Sequence, residues 1–249
     1  MVSIKSQSEI ALMREAGKIL AKVHEELKDA IRPGMSTLDI DRLGEKIIRG
    51  YGCIPSFLNY NGYPASICVS VNDEVVHGIP HKDHILYEGD IVSLDAGVIY
   101  KGYHADAART YGVGKISDEA AKLIEVTKQS FFEGIKMAKD GNHLHDISNA
   151  IADYCESFGY GVVRDLVGHG IGKNLHEDPQ IPNFHQRRRG IKLQKGMTLA
   201  IEPMVNAGTY EVAWLDDDWT VVSDDGSLSA HYENTILITD GEPEILTIL

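Results

Sequence analysis

Apolar residues recur at helical spacing from Glu9 to Ile31, at Ile10, Met13, Ile19, Leu20, Val23, Leu27 and Ile31. The spacing predicts a helix with Ser8 as its cap, ended by Pro33-Gly34. Ser36 or Thr37 caps a second helix that runs to about Gly50. From Tyr51 to Ala65 the chain is rich in Gly, Pro, Asn and aromatics and predicts irregular structure. Strand-type runs follow at Ser66–Asn72 and Glu74–Gly78. Ser117 opens a helical stretch to about Lys139, and Leu144–Ser157 reads as a further helix.

Between these lies Ile91 to Asp106, IVSLDAGVIYKGYHAD, whose strand-forming residues flank a Tyr100-Lys101-Gly102 turn. This predicts a β-hairpin. A turn centred on Tyr100-Lys101 sets Asp95 and Asp106 directly opposite; one centred on Lys101-Gly102 makes them diagonal neighbours. Side chains alternate with period two, so either register puts both carboxylates on one face. Like charges facing each other across a hairpin are destabilising, which asks for a cation between them.

The pattern also repeats. AIRPGMSTLDI at 30–40 aligns with MAKDGNHLHDI at 137–147, and LYEGDIVSLDA at 86–96 aligns with LQKGMTLAIEP at 193–203, both at an offset of 107 (141 − 34 for the first glycine pair). Asp95 thereby falls on Glu202. Two blocks at one offset imply a duplicated, pseudo-twofold architecture, one domain over 1–249 with halves of about 1–115 and 116–249. A second hairpin is expected from Thr220–Val222 and Ala230–Thr239, joined through Asp224-Asp225-Gly226. It gives Glu233 of AHYENTI the place that Asp106 holds in YHADAAR, with some twenty residues inserted around Asn206–Asp218.

Composition narrows the function classes. A net charge of −13 argues against a nucleic-acid binder, and Arg187-Arg188-Arg189 beside Gly190 reads as a solvated loop. Cys53, Cys68 and Cys155 form no CxxC pair, which suggests a reducing compartment. With no signal-peptide core and no apolar run of membrane-spanning length, the expected location is the cytoplasm, away from membranes.

Four acids, Asp95, Asp106, Glu202 and Glu233, are thus expected near one pseudo-axis. Partly buried, they stay ionised only with counter-charge, and two divalent cations balance them. GHGIG at 168–172 offers His169 as a fifth ligand, its flanking glycines allowing close backbone approach. One nitrogen among many oxygens suits Mn, Fe(II), Co or Zn in a reactive site, and the implied chemistry is hydrolysis.

SLDAGVIYKGYHAD, VGHGIG, LHEDPQIPNF, AIEPMVNAG and SAHYENTI, in that order, resemble the type I methionine aminopeptidases over nearly the whole chain. The resemblance implies an α/β (α+β) pita-bread fold with a curved, mostly antiparallel sheet. It implies a dinuclear metal centre that removes the initiator methionine from nascent polypeptides when the second residue is small. Asp95, Asp106, His169, Glu202 and Glu233 would be the ligands, Asp106 and Glu233 bridging, with Glu202 also taking a proton from water. His77 and His176 fill the positions of two active-site histidines that are not ligands. By the same resemblance Tyr60, Tyr63, Cys68 and Trp219 line the methionine pocket, with Phe57 and Leu175 nearby. Gly97 stands where some relatives have threonine, and Phe57 and Leu175 where others carry different side chains.

The chain starts almost at the catalytic region, as in a short bacterial-type enzyme, and is expected to be a monomer. Its partner is the N-terminal methionine of a nascent peptide. Ribosome contact would be transient, and the charge pattern gives no clear docking patch for it. Three rivals are an X-Pro hydrolase, which usually carries an extra N-terminal domain; a binding module, which would have lost metal ligands that are all present here; and purely structural metals, against which the surplus histidines and glycine-rich loops argue.

Overall fold

In the computed structural model, which describes residues 2–249, four helices cover antiparallel sheets. Helix α1 spans Gln7–Ala30 and α2 spans Thr37–Gly50; α3 covers Asp118–Ile135 and α4 Leu144–Ser157. The cap of α1 is Ser6 rather than Ser8, because Ser6 has Glu9 three residues on and the pair closes a capping box. Ser36 caps α2 in the same way with Asp39. Helix α3 stops at Ile135, short of the expected Lys139, and turns through Met137–Lys139 toward Gly141.

Strands Ile91–Tyr100 and Tyr103–Gly112 form the central hairpin, turning on Lys101-Gly102, both at positive φ. Tyr100 pairs with Tyr103, Gly97 with Asp106 and Asp95 with Ala108. Of the two expected registers this is the diagonal one. Ile67–Val71 adds to the outer side of Ile91–Tyr100, and α1 covers Tyr103–Gly112, where buried His24 donates from Nε2 to Ala107 O at 2.8 Å.

The second hairpin differs from expectation. Val221–Ser223 pairs with Val212–Trp214 and Glu74–Val76, not with the Ala230 region. The partners of Ser229–His231 and Asn234–Leu237 are instead Met204–Asn206 and Thr198–Ile201. The first arm is therefore the segment that lies 107 residues after Ile91–Tyr100, broken at Glu202-Pro203. The insertion replaces the tight turn and runs from Ala207 to Leu228, further than Asn206–Asp218, folding back on itself as the small Val212–Trp214/Val221–Ser223 pair. Thr198–Ile201 continues through Gly168–Gly170 to Glu177–Ile181 in a five-stranded sheet.

Hydrogen bonds recur at the same offset. Gly34 donates to Leu86 O at 2.8 Å and Gly141 to Leu193 O at 3.0 Å; isolated bridges join Ser36 to Ile85 and His143 to Lys192. Gly34, Gly89, Gly141 and Gly196 all sit at φ between +89° and +97°, which a side chain would strain. One apolar core lies under α1 and α2, another under α3 and α4.

The two strand systems meet at a seam closed by threonine hydroxyls. Thr235 Oγ1 accepts from Asp106 N–H and donates to Asp106 O, both at 2.9 Å. Thr110 Oγ1 does the same for His231, again at 2.9 Å each way. Glu233 N–H completes the seam by donating to Ala108 O at 2.9 Å.

Candidate metal centre

Asp106 and Glu233 face each other across that seam, and His169 joins them; one ligand atom from each lies within 4.8 Å of the others, all three residues being buried. His169 Nε2 is 3.9 Å from Asp106 Oδ2 and 3.7 Å from Glu202 Oε1. Its Nδ1–H donates to Gly170 O at 2.9 Å. That bond fixes the tautomer and leaves the Nε2 lone pair pointing among carboxylates, the arrangement of a metal-binding imidazole. Gly168 and Gly170 make this possible, since a Cβ on either would meet the backbone oxygen of Ala200 or Asp178 at 2.4 or 2.1 Å.

Asp95 and Glu202 complete the acidic set. Burial pushes Asp95 up to about 7 and Glu202 up to about 8. Asp106 and Glu233 are driven well above the carboxylate range by burial first and by neighbouring carboxylates second. Asp95 Oδ1 and Glu233 Oε1 are buried with no hydrogen-bond partner among the described residues. Such groups are costly unless something positive pairs with them. Oxygen-rich donors, one bare imidazole nitrogen and orphaned carboxylate oxygens fit divalent cations.

Beside the acids lies a cavity of about 150 Å³ lined by Phe57, Tyr60, Tyr63, Cys68, Leu175 and Trp219. All the residues expected in a methionine pocket are thus brought together, with Asn61 as an unexpected addition. Gly97 explains the position of Phe57, since a Cβ there would lie 3.0 Å from the Phe57 ring and 2.7 Å from Ser56 Cβ. His77 and His176 also line the cavity. His77 has φ +61°, which ends its strand at Val76 instead of the expected Gly78. Burial lowers His77 to about 4, and lowers His176 as well. His176 Nδ1 and the Tyr60 hydroxyl are 2.7 Å apart, and the His176 ring meets that of His169 edge-on at 4.2 Å. An open groove of about 610 Å³ leads away past His169, His176, Glu177 and Gln180.

The model of metallopeptidase family M24 matches residues 11–240. The chain belongs to this family. It is 59% identical to the methionine aminopeptidase of Clostridium acetobutylicum, over all of this chain and 99% of the relative. Methionine aminopeptidase 1 of Bacillus subtilis is 52% identical over 99% of each. The crystal structure of methionine aminopeptidase from Thermotoga maritima superposes with a TM-score of 0.97 at 47% identity, covering both chains fully. An Xaa-Pro dipeptidase from Bacillus anthracis superposes less closely, with a TM-score of 0.79 at 27% identity; it covers 98% of this chain and 61% of its own. The fold is the pita-bread fold of M24, and membership of a metallopeptidase family implies divalent metal ions.

Two residues beside the candidate site were not anticipated. Arg109 donates from Nη1 to Glu233 O and from Nη2 to Asn234 Oδ1 and Thr247 O, tying Glu233 and Asn234 to the C-terminal segment. His231 is buried with its Nε2 3.6 Å from Glu202 Oε2. Both stand inside the YHADAAR and AHYENTI motifs, Arg109 three residues after Asp106 and His231 two residues before Glu233, and that closeness to the acids was the available signal.

Proposed function

We propose that this M24 peptidase removes the initiator methionine from nascent polypeptides with two divalent ions, Co, Mn, Fe(II) or Zn, as cofactors. The observation that carries the reading is the His169 Nε2 lone pair, held bare by the Nδ1–Gly170 bond, grouped with the buried carboxylates of Asp106 and Glu233 and 3.7 Å from Glu202 Oε1. Asp95, Asp106, His169, Glu202 and Glu233 would hold the ions. When bound, the pair supplies a water acidic enough to ionise near neutral pH and an electrophile for the scissile carbonyl.

The chain's own groups do the rest. Glu202 accepts the proton of the attacking water and passes it to the leaving amine; its side chain is 14% exposed against 5% for Asp106, so it reaches solvent. His176, turned by Tyr60, donates to the carbonyl oxygen as negative charge develops there. His77 contacts the scissile amide or the next residue. Phe57, Tyr60, Tyr63, Cys68, Leu175 and Trp219 enclose the thioether, and the groove along Glu177 and Gln180 carries the rest of the peptide. A small second residue passes the histidines most readily.

High identity along the full length of methionine aminopeptidases favours this substrate over X-Pro peptides. The chain reads as one domain of two halves, about 1–115 and 116–249, supported by the recurrent glycine turns and bridges. It acts as a cytoplasmic monomer, meeting the ribosome only transiently; among the described residues no helix is long and apolar enough to cross a membrane. Calorimetric titration of metal-free protein with Mn should give two binding events, one lost on Glu202→Ala together with methionine release. A wild type that binds one equivalent and is fully active would refute the dinuclear reading.

A further inference from the structure

The side chain of His231 has no evident task. It is 1% exposed, and neither ring nitrogen has a hydrogen-bond partner among the described residues. Leaving such a ring unpaired is expensive, so a partner is expected within reach. Its backbone, by contrast, is held on every side. Thr110 binds both its N–H and its C=O, Ser93 Oγ lies 2.8 Å from Thr110 Oγ1, and Met204 pairs with it across the ladder. The ring is therefore delivered to a fixed place, and that place is 3.6 Å from Glu202 Oε2.

Glu202 thus sits between two imidazoles with different duties. His169, 3.7 Å from Oε1, has spent its Nδ1–H on Gly170 and turns a lone pair inward. His231 has no such commitment, so its proton is free to sit on Nε2, and a small turn of the carboxylate closes the gap to a hydrogen bond. We propose that His231 is a positioning residue for Glu202: its Nε2–H holds the Glu202 carboxylate in one orientation, for cation binding through one oxygen and proton acceptance through the other. The proposal rests on the reading of Glu202 as ligand and proton acceptor.

The test compares His231→Leu, which has no donor, with His231→Gln, whose amide restores one at similar reach. Calorimetry with Mn gives metal affinity, and Met-Ala-Ser hydrolysis gives kcat and KM separately. Loss of a group that orients a ligand typically costs about 10- to 100-fold in metal affinity or activity. His231→Leu should therefore bind Mn about tenfold more weakly and lose at least about tenfold in kcat with KM little changed, while His231→Gln stays near wild type in both. Should the leucine variant fail to fold, His231→Met replaces it as the donorless form. Wild-type affinity and kcat in the donorless variant would overturn the proposal. So would a folded His231→Gln that is as impaired as the donorless form, since the role would then be packing. Glu202→Ala in parallel separates the two levels: full activity there removes the Glu202 reading itself, whereas its inactivity beside a normal His231→Leu removes only the His231 proposal.

Discussion

Removing metal should make this protein lose stability as pH rises, in a window where most proteins are indifferent. Asp95 has an ordinary value of 3.8 and is pushed up to about 7; Glu202 goes from 4.5 to about 8. A carboxylate whose folded value is raised contributes its full stability below its unfolded value and loses it as pH rises through the folded one. At about 1.4 kcal/mol per unit, Asp95 gives up to about 4 kcal/mol in all, but under about 1 kcal/mol of it above pH 6.5, where Glu202 still gives up about 2 kcal/mol; these are upper bounds because the four acids repel and share protons. Buried histidines such as His24, lowered to about 3 by burial, act in the opposite sense, but their effect is complete once pH exceeds the unfolded value of 6.5. The clean interval is therefore pH 6.5 to 8.5. Against a total of about 5–15 kcal/mol, metal-free protein at pH 8.5 is markedly weakened. Cations at about 100 times their dissociation constant return about 2.7 kcal/mol, or roughly 5–10 °C in Tm for a chain of this size. Scanning calorimetry of chelator-treated protein across this interval, with and without Mn, measures both effects. A Tm that stays level from pH 6.5 to 8.5 and does not move with metal would refute the reasoning.

Three substitutions probe the supports of the site. Thr235→Val deletes the hydroxyl that binds both Asp106 N–H and Asp106 O, and should cost about 2–4 kcal/mol in urea unfolding with weaker Mn binding; an unchanged midpoint would count against the seam. Gly97→Thr drives a Cβ to 2.7 Å from Ser56 Cβ and against Phe57, so a loss of about 1–3 kcal/mol and a raised KM for methionyl peptides are expected. Unaltered stability and KM would mean the loop yields freely. Lys5→Met strips the partner from Glu177, an ion pair at 2.6 Å with side chains only 6% and 13% exposed, and should destabilise by about 3 kcal/mol. A neutral result would show that Glu177 is solvated instead.

Much of this was legible in local chemistry. Helix α4 runs over the residues its periodicity marks, and Ser36 with Asp39 announces α2. Ser6, with Glu9 three residues on, carried the same kind of capping signal but was hidden by Ser8 two residues along. The second hairpin was harder because strand pairing across an insertion leaves no local mark. The offset of 107 pointed to Thr198–Asn206 as its first arm, yet Glu202-Pro203 interrupts the apolar alternation there. The candidate ligands stood out because carboxylates inside apolar runs are costly and conspicuous. Arg109 and His231 did not, since their tasks depend on a seam between strands some 120 residues apart in sequence, as Thr110 and His231 are.

The central claim is metal-dependent release of N-terminal methionine, and one assay addresses it most directly. Metal-free protein is given Met-Ala-Ser and Ala-Pro-Ser in parallel, then titrated with Mn, Co, Fe(II) or Zn. Methionine should be released from Met-Ala-Ser only after metal is added, with Ala-Pro-Ser untouched and Glu202→Ala inactive. Cleavage of Ala-Pro-Ser alone would make the protein an X-Pro hydrolase, and cleavage of neither peptide by folded, metal-loaded protein would contradict the account outright.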